Sequence, residues 1–256
     1  MSGPDWAAAW AGAASLLGGW EIGVAVGATL LAGLLRGYAG FGTAILLAPV
    51  YSTLWGPRVG VPIMLLMELF VSAYLMPRAF GQANRRVIFS IGAAAALATP
   101  IGALVLLAAD PLALRKAIGV CVLALGAAMM SGWRYHGARP IGLNLAVGTV
   151  SGLLKGATGM SGPPVILYLL SGPEAAAQHR ANLILYFGLI GIVAVIPPLW
   201  GGLIGLPVLM MTALMLPLML LSVPLGARLF HVVPVAWYRR CALAALAAAG
   251  LFALLG

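Results

Sequence analysis

The amino-acid sequence predicts an all-α polytopic membrane protein composed of two homologous halves, and three observations support this fold class. Of the 256 residues, 63% are hydrophobic and only 7% are charged, whereas soluble domains carry about 25% charged residues. Apolar runs of about 18 to 20 residues, long enough to cross a hydrocarbon core of ~30 Å, recur along the chain. Related motifs also occur twice at matched spacings, as expected for a duplicated chain.

Eight hydrophobic segments lie between the charged positions of the chain. The first and the fifth are unusually long and each contains a glycine-rich patch, so each is expected to be broken or re-entrant at that patch. The other six are expected to be ordinary spans. The eight segments are Ile22–Leu54, Val59–Pro77, Val87–Ala109, Ala117–Trp133, Ile141–Ser171, Ala181–Leu206, Pro207–Ala227 and Cys241–Gly256.

The formal net charge is +9, but the basic residues fall mostly in the short stretches between apolar segments. This distribution is typical of membrane proteins that follow the positive-inside rule, and it argues against nucleic acid as a partner. No basic residue precedes Arg36. The sequence therefore lacks the positively charged start of a signal peptide, and the first segment is expected to be retained.

Two pairs of matching motifs indicate an internal repeat. Gly33-Leu-Leu-Arg-Gly37 has a counterpart 119 residues later in Gly152-Leu-Leu-Lys-Gly156, with four of five residues identical. Pro100-Ile-Gly-Ala103 matches Pro224-Leu-Gly-Ala227 at a spacing of 124 residues. The chain is therefore predicted to consist of two transmembrane repeats, at residues 1–139 and 140–256, that together form one domain.

The distribution of basic residues bears on how the two interrupted segments enter the membrane. The limbs of the first, Ile22–Leu35 and Thr43–Trp55, have 14 and 13 residues, or only ~20 Å each as helices. Setting Arg36 and Lys155 aside, broken crossings divide the basic residues five against seven, and re-entrant hairpins divide them nine against three. The positive-inside rule favours hairpins, with inverted halves, hairpin tips facing at the midplane and Gly256 outside. Broken crossings stay an alternative.

Three charged residues lie within apolar segments, where each costs about 2.5–3.5 kcal/mol on insertion scales and so requires a reason. Arg36 and Lys155 occupy equivalent positions beside the two glycine patches, and Glu68 is central in its segment. We expect Arg36 and Lys155 to attract an anion, with snorkelling to the membrane surface as the alternative. Glu68 is a candidate proton-coupling site, with a structural ion pair or a polar helix contact as the alternative.

The glycine patches predict where a substrate binds. Glycine interrupts helices and lets the backbone approach a ligand, and new helices are expected to begin near Thr43 and Pro163. Helix N-termini bind anions through free N–H groups and partial positive charge. Close helix packing is the alternative reason for the glycines. The predicted substrate-binding residues are Arg36, Tyr38, Gly40, Gly42, Thr43, Lys155, Thr158, Gly159, Ser161 and Gly162.

The sequence contains no recognisable motif for a metal, a cofactor or an intramembrane catalytic centre. Cys121 and Cys241 lie singly in apolar runs and are interpreted as packing residues. We therefore expect no metal and no cofactor, in a protein that is not an enzyme.

Motifs in both halves resemble those of the sulfite exporter TauE/SafE family, over essentially the whole chain. The resemblance implies a multi-pass transporter of sulfur-containing anions in the bacterial inner membrane, with about eight segments. The consecutive glycines found in many members are replaced here by Gly40-Phe-Gly42 and Gly159-Met-Ser161. The resembling stretches are Arg36-Gly-Tyr-Ala-Gly-Phe-Gly-Thr43, Gly56-Pro-Arg58, Val61-Pro62, Gly156-Ala-Thr-Gly-Met-Ser-Gly-Pro-Pro164, Val165-Ile-Leu-Tyr168 and Arg180-Ala-Asn182.

Residues and resemblance together predict a secondary transporter that exports a small sulfur-containing anion, such as sulfite or an organosulfonate. Alternating access is expected around an anion site at the midplane, with the lipid bilayer and a small anion as partners and protons as a candidate coupling ion. An anion channel, an uptake permease for another small organic anion and an intramembrane enzyme are the alternatives. The sequence leaves a homo-oligomer open.

Overall fold

A computed structural model of the chain describes residues 19–131, 135, 137, 139–171, 174–230, 232 and 235–255. The regular structure in these ranges is entirely helical. Residues 1–18 of the predicted first repeat, and the predicted outside position of Gly256, lie outside the described residues. In chain order the helices are α1 (Trp20–Ala39), α2 (Thr43–Trp55), α3 (Pro57–Phe80), α4 (Arg85–Ala108), α5 (Pro111–Met130), α6 (Ile141–Thr158), α7 (Gly162–Leu170), α8 (Ala176–Trp200), α9 (Leu206–Leu229) and α10 (Val235–Leu255).

Six of the described helices are long and apolar enough to cross a membrane: α1, α3, α4, α5, α8 and α9. The first predicted segment consists of α1 and α2, and the fifth consists of α6 and α7. The second helix of each pair begins at Thr43 and at Gly162, within one residue of the predicted starts. The chain is therefore helical on both sides of each glycine-rich patch and interrupted within it.

The predicted length of the first limb is wrong. Instead of ending at Leu35, α1 continues through Gly37 to Ala39 and has 20 residues, about 30 Å at 1.5 Å per residue. The equivalent α6 continues through Gly156 to Thr158. Gly37 and Gly156 thus lie inside their helices and do not end them. Both lie where two helices pack together.

Close backbone contact explains these helical glycines. A Cβ atom on Gly37 would lie 2.0 Å from the Val223 carbonyl oxygen of α9, and one on Gly156 would lie 2.0 Å from the Thr99 carbonyl oxygen of α4. Small residues at such crossings let membrane helices approach closely. Helix packing, the alternative interpretation of the glycines, thus applies inside α1 and α6.

Helix neighbours correspond between the first five and the last five helices. The first helix of each set packs on the fourth helix of the other set, so α1 lies against α9 and α6 against α4. The second helix of each set likewise contacts the fifth of the other, and α3 packs on α8. The bundle interior is therefore built by helices from both sets.

Contacts between helix ends define the two ends of the bundle. One cavity is lined by the end of α3, the start of α8 and the end of α9, and this is called the Arg78 end. At the opposite end, called the Arg58 end, Arg58 in the first turn of α3 donates to the Leu107 carbonyl of α4 at 2.9 Å. The helices α3 and α4 consequently run in opposite directions.

Two further contacts locate the ends of the interrupted pairs. Arg139, just before α6, forms an ion pair with Glu174, just after α7, with 2.9 Å between Nη1 and Oε1. The pair α6–α7 therefore starts and finishes near one place. The ring of Trp20, at the start of α1, lies 6.5 Å from the ring of Phe252 near the end of α10.

Candidate anion-binding site

The three predicted intramembrane charges all lie inside the helix bundle. The side chains of Arg36 and Lys155 are 0% exposed and Glu68 is 1% exposed. Long basic side chains that snorkel would extend to the surface, so this alternative does not describe Arg36 or Lys155. Both residues occupy the last turn of their helices, directly before the two breaks.

Lys155 and Glu68 form a buried ion pair between Nζ and Oε2. Glu68 is the twelfth residue of the 24-residue α3 and therefore lies at its middle. The structural ion pair considered for Glu68 is thus present. Because a buried charge is costly unless it is paired, each residue of the pair compensates the other.

Arg36 has a different environment, with uncharged acceptors. Its Nη1 donates to the Gly40 carbonyl and its Nη2 to the Ser72 hydroxyl, both at 2.7 Å. Within the described ranges Nε has no hydrogen-bond partner, and no carboxylate forms an ion pair with Arg36. The three central charges therefore sum to one positive charge, and of the two cations only Lys155 is in direct contact with Glu68 among the described residues.

Phe187 of α8 lies between the two cations. Its ring centroid is 5.1 Å from Cζ of Arg36 and 5.9 Å from Nζ of Lys155, within the range in which an aromatic face attracts a cation. Sequence reasoning missed Phe187. The repeat offset could have found it, since 119 residues added to Glu68 gives Phe187.

The first break is built by two glycines that adopt positive φ. Gly40 has φ 80° and donates its N–H to the Arg36 carbonyl at 2.9 Å, which ends α1, and Gly42 has φ 124°. The first hydrogen bond of α2 joins Leu46 N–H to the Gly42 carbonyl. The N–H groups before Leu46, from Thr43 onward, have no preceding helical carbonyl to bind. They are therefore available to a ligand.

The second break has the same type of glycine cap as the first, but fewer free backbone N–H groups follow it. Gly159 has φ 76° and donates its N–H to the Lys155 carbonyl at 2.9 Å. Helix α7 then begins at Gly162. Because Pro163 and Pro164 carry no N–H, the first turn of α7 offers fewer donors than the first turn of α2.

Several buried hydroxyls near the breaks have no hydrogen-bond partner among the described residues. They include Thr43 Oγ1, Ser151 Oγ, Ser161 Oγ and Tyr186 Oη. The hydroxyls of Ser151 and Ser161 lie close enough to the Tyr186 hydroxyl to interact with it, and Tyr186 is near the Glu68 charge. Since buried polar atoms rarely stay unpaired, the Thr43 hydroxyl is the group of this set with the clearest capacity to bind a ligand. Ser151 and Tyr186 were absent from the predicted site because neither belongs to a glycine patch.

Two further predicted site residues, Tyr38 and Thr158, make contacts of other kinds. The ring of Tyr38 packs edge-on against Phe230, with 5.4 Å between the centroids. The Thr158 hydroxyl donates to the Leu154 carbonyl at 2.7 Å and accepts from Met160 N–H at 3.3 Å. Tyr38 thus contributes to packing and Thr158 to the backbone of the second break.

Apolar helices long enough to cross a membrane, with charged groups buried at their centre, define a multi-pass helical membrane protein with an internal polar site. The chain belongs to the sulfite exporter TauE/SafE family, whose model matches residues 24–253. No curated protein and no solved structure matches the chain. Family membership indicates a membrane transporter, with sulfite and related sulfur anions as the suggested cargo.

Proposed function

We propose that the protein exports a small sulfur-containing anion, such as sulfite or an organosulfonate, through a site centred on Arg36. The observation that carries this proposal is the fully buried guanidinium of Arg36, which donates to neutral acceptors and forms no ion pair with a carboxylate of the described residues. A guanidinium binds planar or tetrahedral oxyanions through several N–H groups at once. An anion at this position would compensate the excess charge.

The first break supplies the remaining donors for the anion. In this proposal the Arg36 guanidinium attracts the charge, while the first N–H groups of α2 and the Thr43 hydroxyl orient its oxygens. Gly40 and Gly42 keep the backbone open to the ligand. From the second break, Lys155, Gly159, Ser161 and Gly162 complete the site on the other side of Phe187.

Alternating access follows from two inverted repeats, at residues 1–139 and 140–256, around the central charges. The corresponding helix neighbours and the Arg139–Glu174 pair support re-entrant pairs that enter from opposite ends. The basic residues Arg78, Arg180 and Arg228 at one end support a cytoplasmic Arg78 end. A bacterial inner membrane then drives an uncompensated anion outward by about 2.3 kcal/mol per charge for each 100 mV of inside-negative potential.

Glu68 is the candidate for proton coupling. Protonation of its carboxyl would remove the negative charge next to Lys155 and leave two uncompensated cations around Phe187. Anion binding and proton binding would then favour each other, as linkage requires. Replacement of Glu68 by Gln is expected to abolish any dependence of flux on a pH gradient, whereas an unchanged gradient dependence would assign Glu68 a structural role alone.

Flux into proteoliposomes tests the proposed function. Purified protein is reconstituted, and uptake of labelled sulfite and isethionate is measured with an imposed membrane potential, beside sulfate, acetate and chloride. We expect saturable flux of sulfite and of isethionate. Each of these two anions should inhibit uptake of the other, and both fluxes should be lost in Arg36→Gln. Equal flux of all five anions, or normal sulfite flux in Arg36→Gln, would contradict the proposal.

The same vesicles distinguish the alternative functions. A channel would give conductance without saturation or counterflow, and a permease for other organic anions would prefer acetate. An enzyme would convert the anion in detergent without any gradient. Counterflow, in which unlabelled anion inside the vesicles accelerates uptake of labelled anion, is the result expected of a transporter.

A further inference from the structure

A cavity of about 450 Å³ opens at the Arg78 end between α3, α8 and α9. Among the described residues its charged lining groups are Arg78, Arg180 and Arg228, and none of the described lining residues is acidic. The carboxylate just before α8, Glu174, is paired with Arg139. The positive charge of the cavity is therefore not balanced by its own walls.

Arg180 connects this cavity with the first break. Its Nε and Nη2 donate to the Gly37 carbonyl at 3.0 and 2.6 Å, so that α8 is tied to the last turn of α1. A Cβ atom on Gly40 would lie 2.7 Å from the Arg180 carbonyl and 3.2 Å from Ile184, which also lines the cavity. Gly40, whose carbonyl accepts from Arg36, therefore lies against residues that line the cavity.

We propose that this cavity is a second anion site, a vestibule that holds the sulfonate or sulfite group between Arg78, Arg180 and Arg228 before it reaches Arg36. The proposal rests on the proposed function and adds a binding step to it. A cleft lined by charges of one sign raises the local concentration of the opposite ion by roughly 10- to 1000-fold. Its guanidinium groups match the oxygens of an oxyanion in several orientations.

The remaining walls indicate which anions fit. Leu75, Ile184 and Val223 provide apolar surface beside the arginines, and Gln82 adds an amide. An alkyl sulfonate presents the same combination, because its charged oxygens adjoin a short hydrocarbon chain. The vestibule is therefore expected to prefer isethionate or a longer organosulfonate over chloride.

Thiol labelling in detergent tests the vestibule without transport. Cys121 and Cys241 are replaced by Ala, and Ala177, an exposed residue that lines the cavity, is replaced by Cys. Reaction rates are compared for two methanethiosulfonate reagents, one carrying a sulfonate and one a trimethylammonium group. The matched control is Ala108→Cys, an exposed position at the opposite end, next to the Leu107 carbonyl that accepts from Arg58.

The preference at each position is the rate with the sulfonate reagent divided by the rate with the cationic reagent. We expect this ratio to be at least tenfold higher at Ala177→Cys than at Ala108→Cys. Arg78→Gln and Arg228→Gln should each lower this preference several-fold, and isethionate should slow the labelling of Ala177→Cys alone. Equal preferences at the two positions, or no effect of either arginine substitution, would overturn the vestibule.

A second experiment repeats the labelling with phosphatidylglycerol added, because a lipid headgroup also carries an oxyanion. If this lipid blocks labelling and isethionate does not, the cavity binds a lipid phosphate and the substrate vestibule is rejected. Failure of the proposed function looks different. Wild-type protein without sulfite flux, but with isethionate protection at Ala177→Cys, would contradict the exporter and retain the anion site.

Discussion

The two helix breaks have similar backbone conformations and differ in the charges around them. At both breaks a glycine with φ near +80° ends the helix and donates its N–H to the carbonyl of the buried cation, Gly40 to Arg36 and Gly159 to Lys155. Lys155 is ion-paired with Glu68, whereas Arg36 binds a carbonyl and a hydroxyl. The repeated element is the helix cap, and the excess charge belongs to the first break.

The surroundings of Gly40 and Gly159 also differ in polarity. Gly40 faces the Arg180 backbone and Ile184, next to the arginine-lined cavity, whereas Gly159 faces Val61 and Met64. The glycine that ends the first helix therefore faces the backbone of a cationic residue, and the glycine that ends the second faces apolar side chains. If the proposed anion site is correct, we expect anion affinity to depend mainly on the first break and folding stability on the Lys155–Glu68 ion pair.

The largest expected effect is on stability, in Lys155→Ala. This change leaves Glu68 buried without its partner, which costs about 3–5 kcal/mol in comparable cases. The measurement is chemical unfolding in detergent. The control combines Lys155→Met with Glu68→Leu, which removes both charges and is expected to unfold close to wild type. If this double variant is as unstable as Lys155→Ala, the ion pair is not the reason for the loss.

The next largest effect on stability is expected from substitution of Gly40 and Gly159, the glycines that end the helices at the two breaks. Gly40→Ala would put a side chain 2.7 Å from a backbone oxygen, whereas Gly159→Ala would put one 2.6 Å from the flexible Met64 methyl and 2.8 Å from a Val61 methyl, both of which are side-chain atoms. Both changes carry about 1–2 kcal/mol of left-handed backbone strain, and Gly40→Ala should cost about 1 kcal/mol more than Gly159→Ala.

Thermal unfolding of both variants measures this difference. Gly27→Ala in α1 is the matched control, because a Cβ atom there has no neighbour within 4 Å and alanine favours a helix by about 1 kcal/mol. A greater loss in Gly159→Ala than in Gly40→Ala would show that the apolar break is the tighter one and reverse this part of the comparison.

The smallest effects should come from the unpaired hydroxyls. Thr43→Val removes one at the first break and Ser161→Ala removes one at the second. A single hydrogen bond contributes about 0.5–1.5 kcal/mol, so Thr43→Val should weaken sulfite binding by about three- to tenfold. Ser161→Ala should have a smaller effect while Glu68 is charged. Calorimetric titration measures both, and equal losses would indicate a site shared evenly by the two breaks.

The sequence predicted the helical membrane fold, the three buried charges and the starts of the helices after the breaks. These features follow from local composition, since apolar runs, intramembrane charges and glycine patches are visible along the chain. The length of α1 was mispredicted, because Gly37 has the same local signature whether it ends a helix or packs against Val223. Only the neighbouring helix distinguishes the two cases.

The distribution of charge within the site could not be predicted either. Glu68 was considered as a partner of both Arg36 and Lys155, and the choice depends on how α1, α3 and α6 are oriented in the bundle. Phe187 and Tyr186 come from α8, whose uncharged segment carries no local signal of a site. These residues join the site through packing between the helices, which the order of residues does not specify.

Calorimetric titration of sulfite into purified protein tests the central claim most directly, that the unpaired charge of Arg36 sets anion affinity. Wild type is compared with Arg36→Gln and with the combined Lys155→Met and Glu68→Leu variant. We expect Arg36→Gln to bind about a hundredfold more weakly, since two charge-assisted hydrogen bonds are lost, and the double variant to bind within about tenfold of wild type. Unchanged binding in Arg36→Gln, with binding lost in the double variant, would contradict the account.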